Sequence, residues 1–219
     1  VTVPASAGAT SRTRIRRLPE RAVTDLGAAH AVLDAGLVAH VAVLDDDGQP
    51  YVVPVAYARD GDRVIFHGST GSRLFMSLDT GVPTCLTVTL LDGLVLARSA
   101  FESSMNYRSV MVLGTCVQLH GADADHALRV ISDHLLPDRW NDIRGPSRKE
   151  LAATLVLALD LAECSVKIRD GGPDDLPEDL DRPGWAGHVP IREVFGEPVA
   201  ADERAATYSV PEYVKEWTR

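Results

Sequence analysis

The stretch that decides the fold is Thr84-Cys85-Leu86-Thr87-Val88-Thr89-Leu90-Leu91-Asp92-Gly93-Leu94-Val95-Leu96-Ala97-Arg98-Ser99-Ala100-Phe101. Aliphatic residues fill both sides of Asp92-Gly93, and Thr87 and Thr89 alternate with Val88. A period of two is that of a strand, and it puts both threonine hydroxyls on one face of the sheet. Asp-Gly between two such runs is a strong two-residue hairpin signal, so the sequence predicts strands over 84–91 and 94–101 joined by a tight turn. Threonine also favours strands for its own sake, so the pair marks a sheet before it marks a site.

The same logic extends in both directions. Upstream, Thr24 and Asp25 offer an N-cap, Leu26, Ala29, Val32 and Leu33 share a helical face, and Gly36 stops the helix. Period-two runs follow at 37–44 and 51–58 around Asp45-Asp46-Asp47-Gly48, then at 63–67 after Arg59-Asp60-Gly61-Asp62. Leu74, Phe75 and Leu78 place a short helix over 71–78. Downstream, 109–120 reads as a long strand and 122–136 as an amphipathic helix with Ala127, Val130, Ile131 and Leu135 inward. The apolar run 151–161 starts as a helical turn and becomes a strand, followed by another at 164–168. About seven mostly antiparallel strands with two or three helices predict an α+β fold built on a closed or half-closed barrel.

The chain has 219 residues, 31 acidic and 22 basic, for a formal charge of −9, which suits one large domain. Apolar residues at 45% and charged residues at 24% are globular values and exclude wholesale disorder. No apolar run reaches the ~18–20 residues that span a bilayer, so no membrane partner is expected. Residues 1–17 lack the apolar centre of a secretory signal, and three widely spaced cysteines make no disulfide framework, so a cytoplasmic protein is expected. Charge divides the chain into a basic arm (1–21, five arginines against Glu20), a barrel domain (22–169) and an acidic arm (170–219, 12 acids against 5 bases). The acidic arm is expected to pack on the barrel or on a partner subunit, with Trp185 as its anchor, because it cannot bury a core of its own. An acidic body excludes a general nucleic-acid binder, which needs a basic face.

Among chemical motifs, HExxH and short His/Cys ligand clusters are absent, so no metal site is expected. GxSxG is absent too, and no general base or catalytic residue stands out. The informative stretch is His67-Gly68-Ser69-Thr70-Gly71-Ser72-Arg73. It leaves a strand, enters a short helix, and combines hydroxyls, backbone N–H groups and a guanidinium into a candidate anion cradle. It is neither a Walker loop nor a dinucleotide fingerprint, and a capped turn with a solvated Arg73 has the same sequence. A second polar knot, Asn106-Tyr107-Arg108-Ser109, can hold an anion and flank a planar ring, or be a wide hairpin loop.

With these residues in view, the chain resembles the pyridoxamine 5′-phosphate oxidase-like flavoproteins, in the flavin-nucleotide-binding branch that includes the nitroimidazole-resistance proteins. The resemblance rests on Arg17-Leu18-Pro19-Glu20-Arg21, Gly48-Gln49-Pro50-Tyr51-Val52-Val53-Pro54, the His67–Arg73 stretch, Thr87 to Phe101, Met105 to Val110, and Trp185-Ala186-Gly187. It implies an antiparallel split β-barrel homodimer with FMN in a groove at the subunit interface. Carried over residue by residue, it places the FMN phosphate near Ser69, Ser72 and Arg73, with Arg108 and Ser109 as further candidates, and counts His67, Gly68, Asn106 and Tyr107 among the cofactor-binding residues. Val52, Val53, Pro54 and Val55 would back the ring, and Thr87 and Thr89 would line the groove. The expected activity is oxidation or reduction of a small planar substrate. The alternatives are a flavin-storage protein, or a barrel loaded with haem or a deazaflavin, with His40 or His67 as the axial ligand. The C-terminus lacks the Arg-x-His segment with which the name-giving oxidase holds its own substrate, so pyridoxamine phosphate is not the expected substrate.

Overall fold

In the computed structural model, residues 6–217 are described; residues 1–5 of the basic arm and 218–219 of the acidic arm lie outside the described residues. Asp25 caps the first helix by accepting a bond from the Gly27 N–H, and α1 runs Leu26–Ala35 with Ala29, Val32 and Leu33 buried. The chain then forms β2 (Val38–Leu44) and β3 (Pro50–Asp60), preceded by the short β1 (Ala22–Val23). β4 is Arg63–Ser69, α2 is Arg73–Asp79, β5 is Pro83–Leu96 and β6 is Ser104–Thr115. After β7 (Val117–Gln118) come α3 (Gly121–Leu135) and α4 (Arg148–Ala152). The last strands are β8 (Thr154–Asp160), β9 (Cys164–Arg169) and β10 (Gly187–Pro190), and α5 (Glu212–Lys215) lies near the end.

All strand pairs are antiparallel, in the order β1-β9-β6-β5-β2-β3-β4-β8-β7 with β10 added on β5. β3 is the pivot. Residues 50–56 pair with β2, whereas 57–60 pair with β4, so the sheet splits where β3 leaves one half for the other. The interior is filled by Val41, Tyr57, Phe66, Leu86, Val112 and Leu157. A smaller cluster, Ala58, Ile65, Val156 and Ala158 with Ala127 and Ile131, glues α3 to the outside. This is the α+β antiparallel split barrel that the sequence predicts.

Three local expectations are corrected. Asp92-Gly93 makes no hairpin: β5 runs through it, with only a register shift between Leu91 and Gly93 against β6. The tight turn gives way because β10 lies alongside β5 there, and a Cβ on Gly93 would come within 2.8 Å of the Val189 carbonyl oxygen. The predicted 94–101 strand therefore stops at Leu96, and the expected wide loop at 103–109 is strand β6 itself. Within one chain Trp185 does not dock on the barrel, being 68% exposed. Asp175, bonded to Arg98 at 2.6 Å, and β10 tie that arm to its own barrel instead.

Candidate cofactor site

Strand alternation sorts the predicted residues by face. On β2, Ala39, Val41 and Val43 are buried while Val38, His40 and Leu44 are exposed. On β3 the inward set includes Tyr51, Val53 and Val55, and the outward set is Val52, Pro54 and Ala56. The predicted ring-backing run thus divides: Val52 and Pro54 face out, while Val53 and Val55 pack toward the core, because successive side chains point to opposite faces. Register joins the outward residues into rows. Pro54, His40, Thr87, Met111 and Ser165 follow one another across β3, β2, β5, β6 and β9. The next rows carry Val52, Ala42, Cys85 and Leu113 on one side, and Thr89 beside Ser109 on the other. The result is a broad, mostly apolar outer face with two threonines and one histidine in its middle.

His67 and Ser69 belong to the same face, in step with Ile65 under α3. At the end of β4, Gly68 is required by Phe75, whose ring atoms would lie 2.2–2.5 Å from a Cβ. The turn beyond it uses its own donors. Thr70 N–H bonds to the Ala153 carbonyl, Gly71 N–H to Ser69 Oγ, and Ser72 N–H to the Ser69 carbonyl. Three N–H groups of the expected cradle are therefore used internally, while Ser72, the N-cap residue of α2, makes no side-chain cap bond, so its hydroxyl stands with Ser69 and Arg73 at the start of the helix. The Arg73 guanidinium lies 4.4 Å from the centroid of the Tyr51 ring and has no ion pair with a carboxylate among the described residues. A cation held on an aromatic face and left without a counter-ion is poised for an anion.

The second knot is largely structural. Arg108 is committed to Asp92 through two bonds of 2.9 and 2.7 Å, which raise its pKa further, so it is not a spare cation. Asn106 is buried, accepts from Arg169 at 2.6 Å and donates to the Gly171 carbonyl at 3.0 Å, pinning the chain as it leaves β9. Ser109 and Tyr107 sit on β6 against Lys167 and Arg169 of β9, away from the Gly68–Arg73 turn in the sheet order. Residues 69–73 and 106–109 therefore stand on opposite sides of β5, β2 and β3 within one chain.

Beside His67 the surface opens into a cavity of about 440 Å³, walled by Leu128, Ile131 and Leu135 of α3, with Trp140 and Pro146 facing them. Arg144 and Glu150 stand at this cavity, joined by bonds of 2.8 and 2.7 Å. His67 keeps part of its surface open, yet desolvation by the protein around it lowers its pKa, so its imidazole is neutral at physiological pH with a lone pair to offer. His30 bonds Asp62 at 3.0 Å, and His134 reaches the Gly36 carbonyl at 2.7 Å, whereas His40 stands exposed on the outer side of β2. Sequence reading missed this cavity wall. Its one legible signal is Ser147-Arg148-Lys149-Glu150, which folds as a capping box at the start of α4.

The split barrel thus presents an open, mostly apolar outer face, an exposed arginine without a carboxylate partner among the described residues, and a neutral imidazole beside a cavity. The sequence model described as pyridoxamine 5′-phosphate oxidase matches residues 25–168. The chain belongs to the pyridoxamine 5′-phosphate oxidase family. It is similar to the flavocytochrome Anf3 from Azotobacter vinelandii, with 40% identity, a TM-score of 0.89, and 95% of this chain and 97% of that chain covered. It is also similar to the FAD and haem binding protein from Mycobacterium smegmatis, at 39% identity, TM-score 0.85, and 89% and 96% coverage. A putative 5-nitroimidazole antibiotic resistance protein from Bacteroides thetaiotaomicron shares the fold, at 21% identity, TM-score 0.56, and 67% and 86% coverage. No curated protein matches the chain. Among the described residues, no helix is long and apolar enough to cross a membrane.

Proposed function

We propose that this protein holds a flavin nucleotide and a haem and passes electrons between them and a small planar substrate. The observation that carries this reading is the placement of His67. It ends the strand that leads into the Arg73 turn, it shares the outer face with Thr87 and Pro54, and it opens onto the apolar cavity under α3. One residue thereby borders both candidate sites.

The residues present fit both groups. Arg73, steadied on Tyr51, would take the flavin phosphate with Ser69 and Ser72, while Val52, Pro54, Thr87 and Thr89 offer the ring a flat, water-poor face. The FMN expected from sequence is widened to FAD, because the Mycobacterium smegmatis relative, 39% identical, is an FAD binder. For haem, the neutral His67 imidazole would supply the iron ligand, and Leu128, Leu135 and Trp140 would supply apolar walls, with Arg144 at the rim already paired with Glu150. When bound, the flavin and the iron supply the electron chemistry. The chain's own part is to orient the two groups, exclude water from the groove and keep His67 deprotonated.

A second copy completes the groove in this reading. Val38, Leu44 and Val52 are 48%, 60% and 58% exposed on the outer side of β2 and β3, apolar surface that a second copy would cover. An obligate interface of ~2,000 Å² or more would cover it. The test is titration of hemin and of FAD or FMN into the apo-protein. Saturation at one haem and one flavin per chain, with the Soret signature lost in His67→Ala and flavin uptake retained, is the expected result. A Soret change that survives His67→Ala would remove the haem assignment.

A further inference from the structure

We infer that Tyr213 is a positioning residue that latches the outer wall of the His67 cavity, so that the C-terminal segment controls how long the cavity keeps its occupant. The inference rests on the haem reading only for the identity of that occupant.

The wall is a single turn, Arg139–Asp142, between α3 and α4. It is weakly held by its own backbone. Asp138, which precedes it, sits at φ 66°, a region that non-glycine residues rarely adopt. Its internal bonds, Arg139 N–H to Leu136 and Asn141 N–H to Asp138, are both long at 3.3 Å. Trp140 and Arg144 nevertheless line the cavity opposite α3, so something must fix the turn.

Tyr213 of α5 bridges its two ends. The phenol oxygen accepts from Arg139 Nη1 at 3.2 Å and donates to Asp142 Oδ2 at 2.5 Å. The clamp spans the residues on either side of Trp140, so it sets the orientation of that indole from behind. The segment that brings Tyr213 there leaves the barrel at β10, is irregular apart from a 3-10 turn at Ala205–Thr207, and is closed on itself by Phe195 against Trp217, with ring centroids 5.4 Å apart. Nothing in the sequence marks this connection, since 71 residues separate Tyr213 from Asp142.

Tyr213→Phe removes the oxygen and keeps the ring. Two readouts test the latch. The first is hydrogen exchange over 138–146 in the protein without added cofactor, expected to quicken in Tyr213→Phe and in Asp142→Ala while the barrel strands stay protected. The second is the rate at which hemin passes to an excess of apomyoglobin, expected to rise about ten- to a hundredfold, the worth of the bond to the Asp142 carboxylate. Flavin affinity should stay unchanged in both variants, and the double variant should add little to either single one. Unchanged exchange over 138–146 overturns the latch whatever hemin does. Quickened exchange with unchanged hemin transfer overturns its control of the cavity. If wild type takes up no hemin, the haem reading fails on its own, and exchange alone still decides whether Tyr213 holds the wall.

Discussion

Replacing Arg73 by alanine tests the phosphate site at the one residue where the geometry is most specific. The guanidinium is exposed, stacked on Tyr51, and free of any carboxylate ion pair among the described residues. The Arg73 fork would give a phosphate at this place charge-assisted bonds worth ~1.5–3 kcal/mol in all. At about 1.4 kcal/mol per factor of ten, Arg73→Ala should weaken FMN or FAD by about ten- to a hundredfold. Riboflavin has no phosphate and should lose almost nothing. Arg73→Lys should recover only part, since an ammonium neither forks nor stacks as well. Tyr51→Leu removes the stacking, worth ~0.5–1 kcal/mol at an exposed site, and should cost about two- to fivefold. Fluorescence titration of the three flavins into each apo-protein measures all of these. Equal losses for riboflavin and FMN in Arg73→Ala would refute the assignment.

Gly68→Ala should destabilise the fold as well as the site. The new methyl meets the Phe75 ring, which is 5% exposed and edge-on to Phe66 at 5.8 Å, so overpacking of ~1–3 kcal/mol is expected, a fall in Tm of roughly 2–12 °C by calorimetry. His67 should titrate below the usual imidazole value of 6.5 by NMR. With the folded value lowered, the unfolded chain binds the proton first, so this group's contribution to stability is complete above that usual value and falls as pH drops toward the lowered one. A His67 that titrates at or above 6.5 would remove both the stability effect and the neutral ligand. Burial pushes the Cys116 thiol up to about 12, so iodoacetamide at mildly alkaline pH should label it only after unfolding. Labelling of Cys116 at the rate of a free thiol in the native protein would contradict its placement.

What the sequence revealed and what it concealed divide along physical lines. The capped helix at Asp25, the period-two strands and the amphipathic α3 were legible because local pattern and tertiary burial agree there. The Gly68–Arg73 turn was legible as a strand-to-helix junction, but not the internal use of its N–H groups, which depends on Ala153, far along the chain. Asp92-Gly93 misled because a turn signal is only a local preference, and β10 docking on β5 outweighs it. Arg108 promised a free cation from its neighbours in sequence, whereas its true neighbour is Asp92 across the sheet. The division of Val52 to Val55 follows from strand alternation alone, which turns Val52 and Pro54 outward and Val53 and Val55 inward. Trp140 and Tyr213 could not be found at all from local pattern, because their meaning comes from a contact between distant segments.

The most direct test of a flavin and a haem working together in one chain is anaerobic photoreduction of the flavin, with EDTA as the electron donor, in protein loaded with both groups. Ferrous haem should form as the flavin is reduced, at a first-order rate independent of protein concentration, and haem-only protein should stay ferric under the same light. Flavin reduction that leaves the haem ferric, or haem reduction whose rate scales with protein concentration, would contradict it.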